Sequence, residues 1–457
     1  MALQFTRNAN VYVQLVQSDG TTNVQAWKLA VLDGFSFSQA INSSEITINE
    51  AGSTSRRARL LFNDSLAPVE WSMSTYARPF SSNSEAHSPE EALWAMLLGA
   101  DGYTTGTRVF DGNSQNITTY TDTTNTSWNF NGSNVSSFSD NWNIYFSFEE
   151  AGNTQVYKCE SAVVNSVTMD FDIDGIATLQ WSGFAKNLVD VGTSVPTDLT
   201  SGGTPAVIAD GLTDTTNFIR NRISTVDLVR TDTLIGSPDD NIVTGVTVDG
   251  VNASAQPVLN VTGDISQLKV GDTISVAGVV TSNQTVDSIL GQAITLSANL
   301  DGASVGGEAV VVTSAVSDRY ALVLTGGSFT VENNISYLTP EELGLVNAPL
   351  ANITGARSIS GTLTCYLDND EANSKSGELF SDLVSDTTTV RNVFDMSVNV
   401  GGETASTPRV AFDLPTAHLE IPVVNVEDLL TLEVTFHGQV SSGNVDNTDE
   451  ATIIYKV

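Results

Sequence analysis

The chain has 457 residues, enough for about two to four domains and a sizeable core. It carries 53 acidic and 19 basic residues, for a net charge of −34. This balance argues against a nucleic-acid-binding protein, because such proteins neutralise phosphates with Lys and Arg. The acidity fits either simple solubility or a surface that touches DNA without holding it.

Cysteine usage and hydropathy exclude further classes. Cys159 and Cys365 are too few for a disulfide framework or a cysteine zinc site. No apolar run is long enough to span a membrane, and the N-terminus alternates like a strand, without the apolar run of a signal peptide. Abundant Thr, Ser, Val, Asn and Gly favour a β-rich protein.

The first part of the chain reads as strands around a polar connection. Alternation predicts strands over 5–15, 27–31 and 35–37. Residues 42–58 show little periodicity and are interpreted as a polar connection. Residues 72–76 (SMSTY) alternate small polar and larger side chains, as expected for a strand with two unlike faces.

Residues 88–99 contain the clearest helix signal in the chain. Ser88 is a candidate N-cap, Pro89 suits the first turn, and Gly99 can end the helix. Two glutamates at 90 and 91 favour the positive end of the helix dipole. The apolar stripe predicted to face the core comprises Leu93, Met96 and Leu97.

Residues 100–140 are rich in Thr, Ser and Asn and are interpreted as an elaborated loop or ribbon. A Gly/Pro/Thr-rich stretch at 191–212 is typical of a linker. Between them, alternation predicts four strands, at 142–148, 154–160, 166–173 and 177–182.

The second part of the chain repeats the first. Residues 362–366 (TLTCY) have the pattern of 72–76 and end on the same Tyr. A shorter helix is predicted at 377–384, in the place of 88–98. The other corresponding stretches, in order, are 218–221 with 5–8, 320–329 with 27–37, 338–353 with 42–58, and 417–438 with 162–183. The shared order predicts a tandem duplication.

The second copy is interrupted at residues 234–317, where the first copy has a short turn. This insert has its own alternating segments and carries a single Lys, Lys269. We interpret it as a small β-domain that projects from a hairpin tip. Its predicted strands are 258–261, 273–276, 286–289, 293–296 and 309–312.

The motifs of the sequence predict a protein that is not an enzyme and needs no cofactor or metal. No catalytic or phosphate-binding motif is present. The run DFDIDG at 170–175 opens like a calcium loop, but its twelfth position is Trp181 where a bidentate acid is required. We therefore interpret Asp170, Asp172 and Asp174 as an acidic stripe on a sheet face that ends in a turn.

Several motifs give the chain a family resemblance. In the first copy these are SSEITINEAG (43–52), FNDSL (62–66) and EWSMSTY (70–76); in the second they are TGG (325–327) and FTVENNISYLTP (329–340). With these motifs the chain resembles the major tail tube protein of long-tailed (siphovirus-type) bacteriophages, of the kind that fuses two tube domains. The resemblance covers most of 1–230 and 318–457, and does not cover 234–317.

The resemblance implies a mainly β fold with two tandem barrel-forming β-sandwich domains, each with a short helix, plus the inserted β-domain. The implied division is a first tube domain at 1–190, a linker at 191–216, a discontinuous second tube domain at 217–233 and 318–457, and the insert at 234–317 on the tube exterior. Three chains would form a pseudo-hexameric ring, and stacked rings would form a conduit for DNA ejection.

Residue roles follow from the same resemblance. The polar connections would contact the next ring through Ser43, Ser44, Glu45, Glu50, Arg56, Arg57, Arg59, Thr339, Glu341 and Glu342. The arginines form the one basic cluster, which also suggests contact with an acidic patch on a neighbouring copy. Wall strands and their packing would involve Trp71, Met73, Tyr76, Trp94, Leu363, Tyr366 and Phe380.

The implied partners are copies of the same chain, a tape measure protein in the lumen, and the tail terminator and baseplate or tip proteins. DNA would pass without specific binding, and the protein would be assembled in the host cytoplasm into the virion tail, without membrane insertion. The alternative is a secreted or virion-surface β-sandwich array that binds carbohydrate or a receptor through exposed aromatics such as Trp128 and Phe130.

Overall fold

The computed structural model describes only part of the chain. The described residues are 8–16, 24–48, 58–82, 85–104, 109–112, 116–117, 125–129, 136–150, 153–199, 207–213, 217–230, 245–263, 265, 268, 272–313, 319–342, 346–368, 376–385, 392–401, 408–426, 429–440 and 449–457. Over these residues the fold is mainly β, as predicted, with two α-helices. None of the helices in these ranges is long and apolar enough to cross a membrane.

The strands of the first half run from Ala9 to Gly192. In chain order they are β1 Ala9–Val16, β2 Val24–Leu29, β3 Ser36–Ile48, β4 Ala58–Tyr76, β5 Phe80–Ser82, β6 Glu85–His87, β7 Ala100–Thr104, β8 Val109–Gly112, β9 Asn116–Ile117, β10 Asn125–Asn129, β11 Trp142–Glu150, β12 Asn153–Glu160, β13 Val163–Asp172, β14 Thr178–Ala185 and β15 Asn187–Gly192. Helix α1 is Glu91–Leu97, and a 3-10 turn spans Thr197–Leu199.

The remaining strands belong to the insert and the second half. They are β16 Thr225–Arg230, β17 Thr247–Val248, β18 Val258–Thr262, β19 Thr273–Val276, β20 Val280–Leu290, β21 Ala293–Leu296, β22 Val310–Thr313, β23 Arg319–Ala321, β24 Leu324–Glu332, β25 Ser336–Leu338, β26 Ala351–Ile353, β27 Ser358–Tyr366, β28 Phe394–Val400, β29 Arg409–Leu419, β30 Val423–Val426, β31 Leu430–Gly438 and β32 Thr452–Lys456. Helix α2 is Ser376–Ser385, and a second 3-10 turn spans Asn221–Ile223.

Two sheets enclose the core of the first half. One has the order β15-β12-β11-β1-β2, and the other contains the array β13-β14-β4-β3. Inward side chains from both sheets join one apolar cluster, as shown by Val13 and Ile144 from the first and Trp71 and Trp181 from the second. Alternation of apolar and polar residues in these strands places one face of each sheet in the core.

Helix α1 differs from its predicted form. Leu93, Met96 and Leu97 are buried in the core as predicted, and the other four residues of the helix are buried as well. Ser88 does not cap the helix through its side chain; Glu90 takes the N-cap position, without a side-chain cap bond. The side chains of Glu90 and Glu91 instead accept hydrogen bonds from Tyr455 and Trp27 in the core.

The second half has a comparable outer layer in the order β23-β16-β28-β29, extended by β32 and by β10 from the first half. Strand β29 changes layers along its length. Its first part pairs with β28 and β32, and its last residues, Ala417 to Leu419, pair with β31. The outer and inner layers of this half are therefore hydrogen-bonded through one bent strand.

Both cysteines lie in the cores formed by these layers. Cys159 and Cys365 are fully buried. Burial raises the pKa of the Cys159 thiol to about 12 and that of Cys365 to about 11. The two residues therefore pack as small apolar side chains and carry no thiolate at neutral pH.

The stretch predicted to be a linker is partly packed against the first half. Ile208 forms a parallel bridge with Trp27, and Lys28 N donates to Ile208 O at 2.8 Å. Val191, Val195 and Val207 pack against a buried cluster that contains Tyr12 and Tyr145. These contacts cover the edge of the sheet at β2, which would otherwise expose unpaired backbone groups.

The insert forms a sheet of its own, in the order β17-β18-β21-β20-β19-β22. Its apolar cluster is built from residues between Val246 and Val312. The chain enters the insert from β16 and leaves it to β23, and these two strands pair through Leu228 with Tyr320. The two ends of the insert thus leave from neighbouring positions on one antiparallel hairpin.

We predict that a short turn can replace residues 234–317 without unfolding the rest. The paired ends need no displacement, and the larger core keeps its side chains. The shortened chain should remain soluble and unfold cooperatively, with a urea midpoint within about 0.5 M of the parent, since stability scales with retained burial. Aggregation of the shortened chain would contradict this.

Candidate functional surface: the continuous sheet and its edges

The two halves of the chain contribute one continuous inner sheet. The first half supplies the array β13-β14-β4-β3 and the second supplies β30-β31-β27-β24. By the sequence correspondence, β4 matches β27, β3 matches β24, and the pair β13 and β14 matches residues 417–438. The strands therefore occur in the same order twice, and the arrays lie side by side.

Equivalent positions in the two arrays make equivalent bonds. Ser36 is paired with Ser72, and their hydroxyl oxygens are 2.9 Å apart. Ser328 is paired with Thr362, and their hydroxyl oxygens are 3.1 Å apart. Because a slip by one residue would move every side chain to the opposite face, this shared register means that the two arrays expose corresponding faces.

The arrays are joined by antiparallel pairing of β13 with β24. The register runs from Ser166 opposite Glu332 to Asp172 opposite Gly326. Met169 and Phe329 meet on the core side, and Thr168 and Thr330 hydrogen-bond at 3.0 Å on the other side. The junction thus joins both the backbone ladders and the apolar cores of the two halves.

Side-chain amides extend this junction beyond the strands. Asn333 Nδ2 donates to Leu97 O at 2.9 Å, which satisfies a carbonyl at the C-terminal end of α1. Asn165 Oδ1 accepts from Ile335 N at 2.7 Å. Asn352 Oδ1, on β26, accepts from Phe138 N at 2.7 Å. The intrachain junction is therefore held by backbone and side-chain bonds across its width.

Glycines opposite aromatic residues fix how closely the core side of the sheet packs. Gly183 is paired with Trp71, Gly327 with Phe171, and Gly361 with Phe436. A Cβ at Gly327 would lie 2.7 Å from Phe171 Cζ and 2.5 Å from Thr362 O. The aromatic ring occupies the volume that any larger residue would need, so these three positions require glycine.

The opposite face of the continuous sheet is polar and acidic. Asp170 and Asp172 lie on it, while Asp174 lies in the turn after β13, with Arg222 Nη1 at 3.9 Å from its carboxylate. Gln180 Nε2 donates to Asp170 Oδ2 at 2.9 Å. Register and alternation place on this polar face Ser72, Ser74, Ser166, Thr168, Asp170, Asp172, Gln180, Ser182, Ser328, Thr330, Glu332, Thr362, Thr364, Glu433 and Thr435. This set contains four carboxylates and no lysine or arginine.

The predicted packing residues divide between the two faces. Trp71, Met73, Trp94 and Leu363 are buried in the core, and Phe380 packs partly buried against it. Tyr76 is half-buried and contacts Phe218 edge-on, with ring centroids 5.1 Å apart. Tyr366, at the matching position, is 38% exposed. These tyrosines therefore lie at the polar face and outside the core.

The described residues of the polar connection, 42–48 and 58, lie in strands, which corrects the loop interpretation for this part of it. Strand β3 extends to Ile48 and β4 begins at Ala58. The two strands pair antiparallel up to Ile48 opposite Ala58 and form a long hairpin. Ser43, Ser44 and Glu45 lie on β3, and Arg59 lies on β4. Glu50, Arg56 and Arg57 lie outside the described residues.

Bonds and exposure in this hairpin combine polar and apolar character. Arg59 Nε lies 2.6 Å from Glu45 Oε1, an exposed ion pair within the hairpin. Leu61 is 70% exposed and its neighbour Phe62 is 47% exposed, with Ile46 and Leu60 similarly open. Sequence reasoning missed this apolar ribbon, although the alternation of Ile46 with Ile48 and of Leu60 with Phe62 signalled it.

The second polar connection lies beside the base of the first hairpin. Strands β25 and β26 pair, and Thr339, Glu341 and Glu342 follow β25 on partly or fully exposed backbone. Asn347 O accepts from Leu66 N at 2.7 Å, and Asn347 N donates to Asp64 O at 3.0 Å. The second connection is thus hydrogen-bonded to the base of the first hairpin.

The aromatic platform suggested for a ligand-binding array is not formed. Trp128 is fully buried and packs against Phe110, with ring centroids 5.9 Å apart. Its strand β10 pairs with β32, which covers it. Phe130 lies outside the described residues. The prediction that Trp128 is exposed is therefore wrong, because tertiary pairing buries a residue in a polar sequence context.

We predict that Gly327→Ala destabilises the chain by about 1–3 kcal/mol, the usual cost of overpacking a filled core site. Gly326→Ala is the matched control, because its Cβ would meet only Phe171 O, at 3.3 Å, and Asp172 Cα, at 3.9 Å. Urea unfolding followed by tryptophan fluorescence measures both variants. Equal stability of the two would contradict the aromatic-over-glycine packing.

Comparison with known proteins bears on this arrangement. No family model matches the chain. The chain is similar to the tail tube protein pb6 of Escherichia phage T5, with 26% identity over 447 residues, which cover 95% of this chain and 72% of that protein. The match extends over both arrays. The chain is thus a homologue of a tail tube protein of a long-tailed bacteriophage, the group that its motifs resemble.

Proposed function

We propose that this chain is a structural virion protein that forms trimeric, pseudo-hexameric rings, and that stacked rings build a phage tail tube for DNA ejection. The observation that carries the proposal is the side-by-side pairing of two equivalent arrays within one chain. The relative's name, a tail tube protein, supports the same role. No step of this role requires catalysis or a cofactor.

Ring closure follows from the two free ends of the continuous sheet. Within the described residues, β3 pairs only with β4, and β30 pairs only with β31. Strand β24 matches β3, and β13 matches the segment that contains β30, so β3 of one copy can pair with β30 of the next as β24 pairs with β13. Closure into a barrel would remove both edges.

Apolar side chains at these ends support the same contact. On the β30 side, Val423 is 59% exposed and Val426 is 78% exposed. On the β3 side, Ile41 is 54% exposed. Pairing of the two edges would reduce the exposure of these side chains, because each would gain neighbours on the adjacent strand.

The polar face would line the lumen, because the opposite face is already filled by the core. Its carboxylates would repel the phosphates of DNA, and the described residues assigned to it include no Lys or Arg to bind phosphate. Its hydroxyl groups are largely paired with one another, as in Ser166 with Ser182 at 2.7 Å. DNA, and before it a tape measure protein, would therefore occupy the lumen without specific binding.

Stacking would use the long hairpin of β3 and β4. Leu60, Leu61 and Phe62 form an exposed apolar ribbon beside the Arg59–Glu45 ion pair. A long hairpin with exposed apolar side chains favours contact with a partner, and the next ring would supply one. The same stacking surface would include the predicted contact residues of β3 and of the second connection: Ser43, Ser44, Thr339, Glu341 and Glu342. Terminator and baseplate or tip proteins would cover this surface at the tube ends.

Other placements complete the proposal. The first tube domain would comprise 1–190, and the second 217–233 with 318–457. The insert at 234–317 would lie on the tube exterior, since it leaves from the outer-layer hairpin of β16 and β23. The protein would assemble in the host cytoplasm and remain in the virion tail.

The stacking proposal predicts that Leu61→Ser with Phe62→Ser leaves rings intact but shortens tubes by at least about tenfold, because it removes exposed apolar area that only stacking would bury. Negative-stain microscopy of purified protein measures ring and tube content. Leu290→Ser, an 84% exposed site on the insert, is the matched control. Normal tubes from the double variant would contradict the stacking assignment, and the absence of rings and tubes from unaltered protein would contradict the function.

The ring proposal predicts that Val423→Lys with Val426→Lys blocks closure, because edge lysines oppose strand pairing between copies. Light scattering after size exclusion should then report a folded monomer in place of the trimer. Val251→Lys with Val305→Lys, at sites 77% and 82% exposed on the insert, is the matched control. A trimer formed by the edge variant would overturn the closure model.

A further inference from the structure

The C-terminal strand β32 connects the two halves on the outer layer. It pairs with β29 of the second half through Val410 opposite Tyr455. Its other edge pairs with β10 of the first half through Thr126 opposite Tyr455. Tyr455 is fully buried and stands close to helix α1. A single tyrosine therefore lies between elements from both halves.

Two hydrogen bonds tie Tyr455 to α1 and its N-cap. Its hydroxyl donates to Glu90 Oε1 at 2.7 Å, and it accepts from Trp94 Nε1 at 2.8 Å. Trp94 in turn packs edge-on against Trp181 at 4.9 Å between ring centroids. Displacement of β32 would therefore leave a carboxyl and an indole N–H of the first half without these partners.

The groups that face Glu90 leave its charge poorly compensated. Glu91 is also buried; it accepts from Trp27 Nε1 at 2.8 Å and lies 3.5 Å from His87 Nδ1. Arg78, also buried, donates to Leu212 O at 3.3 Å and lies over the Phe218 ring. Among the described residues, Glu90 Oε2 has no hydrogen-bond partner.

Burial dominates the ionisation of this carboxyl. Desolvation raises the pKa of Glu90 to about 7, against the lowering effects of the Tyr455 hydrogen bond and the Arg78 charge. Below about pH 7, the neutral carboxyl is thus the favoured form where β32 is in place. If β32 is displaced, water reaches the carboxyl, and its pKa returns towards its ordinary value.

We propose that Glu90 and Tyr455 form a protonation-dependent latch between the two halves of the chain. With a neutral Glu90 carboxyl, β32 is held against α1 and Trp94. With an ionised carboxyl, the buried charge lowers the free energy needed to open β32 locally, while the junction of β13 with β24 keeps the halves together. The latch lies within one chain, so it does not depend on ring or tube formation.

The direction of the effect follows from the raised pKa. The latch is strongest below about pH 4.5, where both the open and closed forms hold the proton. It weakens as pH rises towards about 7, because only the open form ionises freely, and it stays at its weakest above that pH. Between pH 5 and pH 8, the opening equilibrium should rise by about seventyfold, since each pKa unit is worth a factor of ten.

Hydrogen–deuterium exchange of the amides in Thr452–Lys456 measures this opening, with those of Ala9–Val16 as the internal reference for the pH dependence of exchange chemistry. In the unaltered chain, protection of β32 relative to β1 should fall about seventyfold from pH 5 to pH 8. Glu90→Gln keeps an acceptor for Tyr455 but cannot ionise, so its relative protection should not change with pH.

Two further variants keep the test decisive. Tyr455→Phe removes the donor and should lower the protection of β32 at pH 5 towards its value at pH 8. Asp287→Asn, an exposed carboxylate on the insert, is the control and should behave as the unaltered chain does. A pH-independent protection ratio in the unaltered chain would overturn the latch. The same pH dependence in Glu90→Gln as in the unaltered chain would also overturn it. If Glu90→Gln does not fold, unchanged protection of β32 in Tyr455→Phe at pH 5 would overturn it.

Discussion

The fold depends on the antiparallel pairing of β13 with β24. Each of these strands would be a sheet edge in an isolated half, with a row of unpaired backbone groups. Their pairing satisfies those groups and places Met169 beside Phe329, so one ladder joins two apolar cores. The amides of Asn333 and Asn165 then fix α1 and the second connection to the same junction.

This junction also sets the character of the two sheet faces. Gly327 allows Phe171 to lie against the backbone on the core side, and the matching pairs at Gly183 and Gly361 do the same in the neighbouring strands. The core side is therefore closed, and over the described residues the open side of the sheet is the one with hydroxyl and carboxylate groups. A surface that touches an anionic polymer without holding it needs this chemistry.

Local patterns in the sequence predicted many of the strands and both helices, but they did not predict which distant segments contact one another. The strand at Thr273–Val276 was predicted with its bounds, and alternation identified the polar sides of β13 and β14. Periodicity gives no information on which strand lies beside which, so the pairing of β10 with β32, and with it the burial of Trp128, could not be foreseen.

The same limit applies to the helix start and to the long hairpin. Glu90 and Glu91 match an exposed first turn by sequence alone, yet aromatic N–H and O–H donors from distant strands draw both into the core. In the hairpin, the Asn- and Ser-rich composition suggested a loop, whereas cross-strand pairs such as Ile46 with Leu60 extend the ladder. The composition of a segment therefore does not predict which distant strands will pair with it or bury it.

Covalent linkage of the two arrays has a consequence for the rate of assembly. In the proposed trimeric ring, every second junction is already present inside a chain, as β13 with β24. The translational and rotational entropy of those junctions is lost during folding and need not be lost again on association. Because the two arrays are joined, each meets the other at an effective concentration set by their connection and not by the concentration of the chain. Ring nucleation is therefore favoured at chain concentrations that would be too low for separate halves.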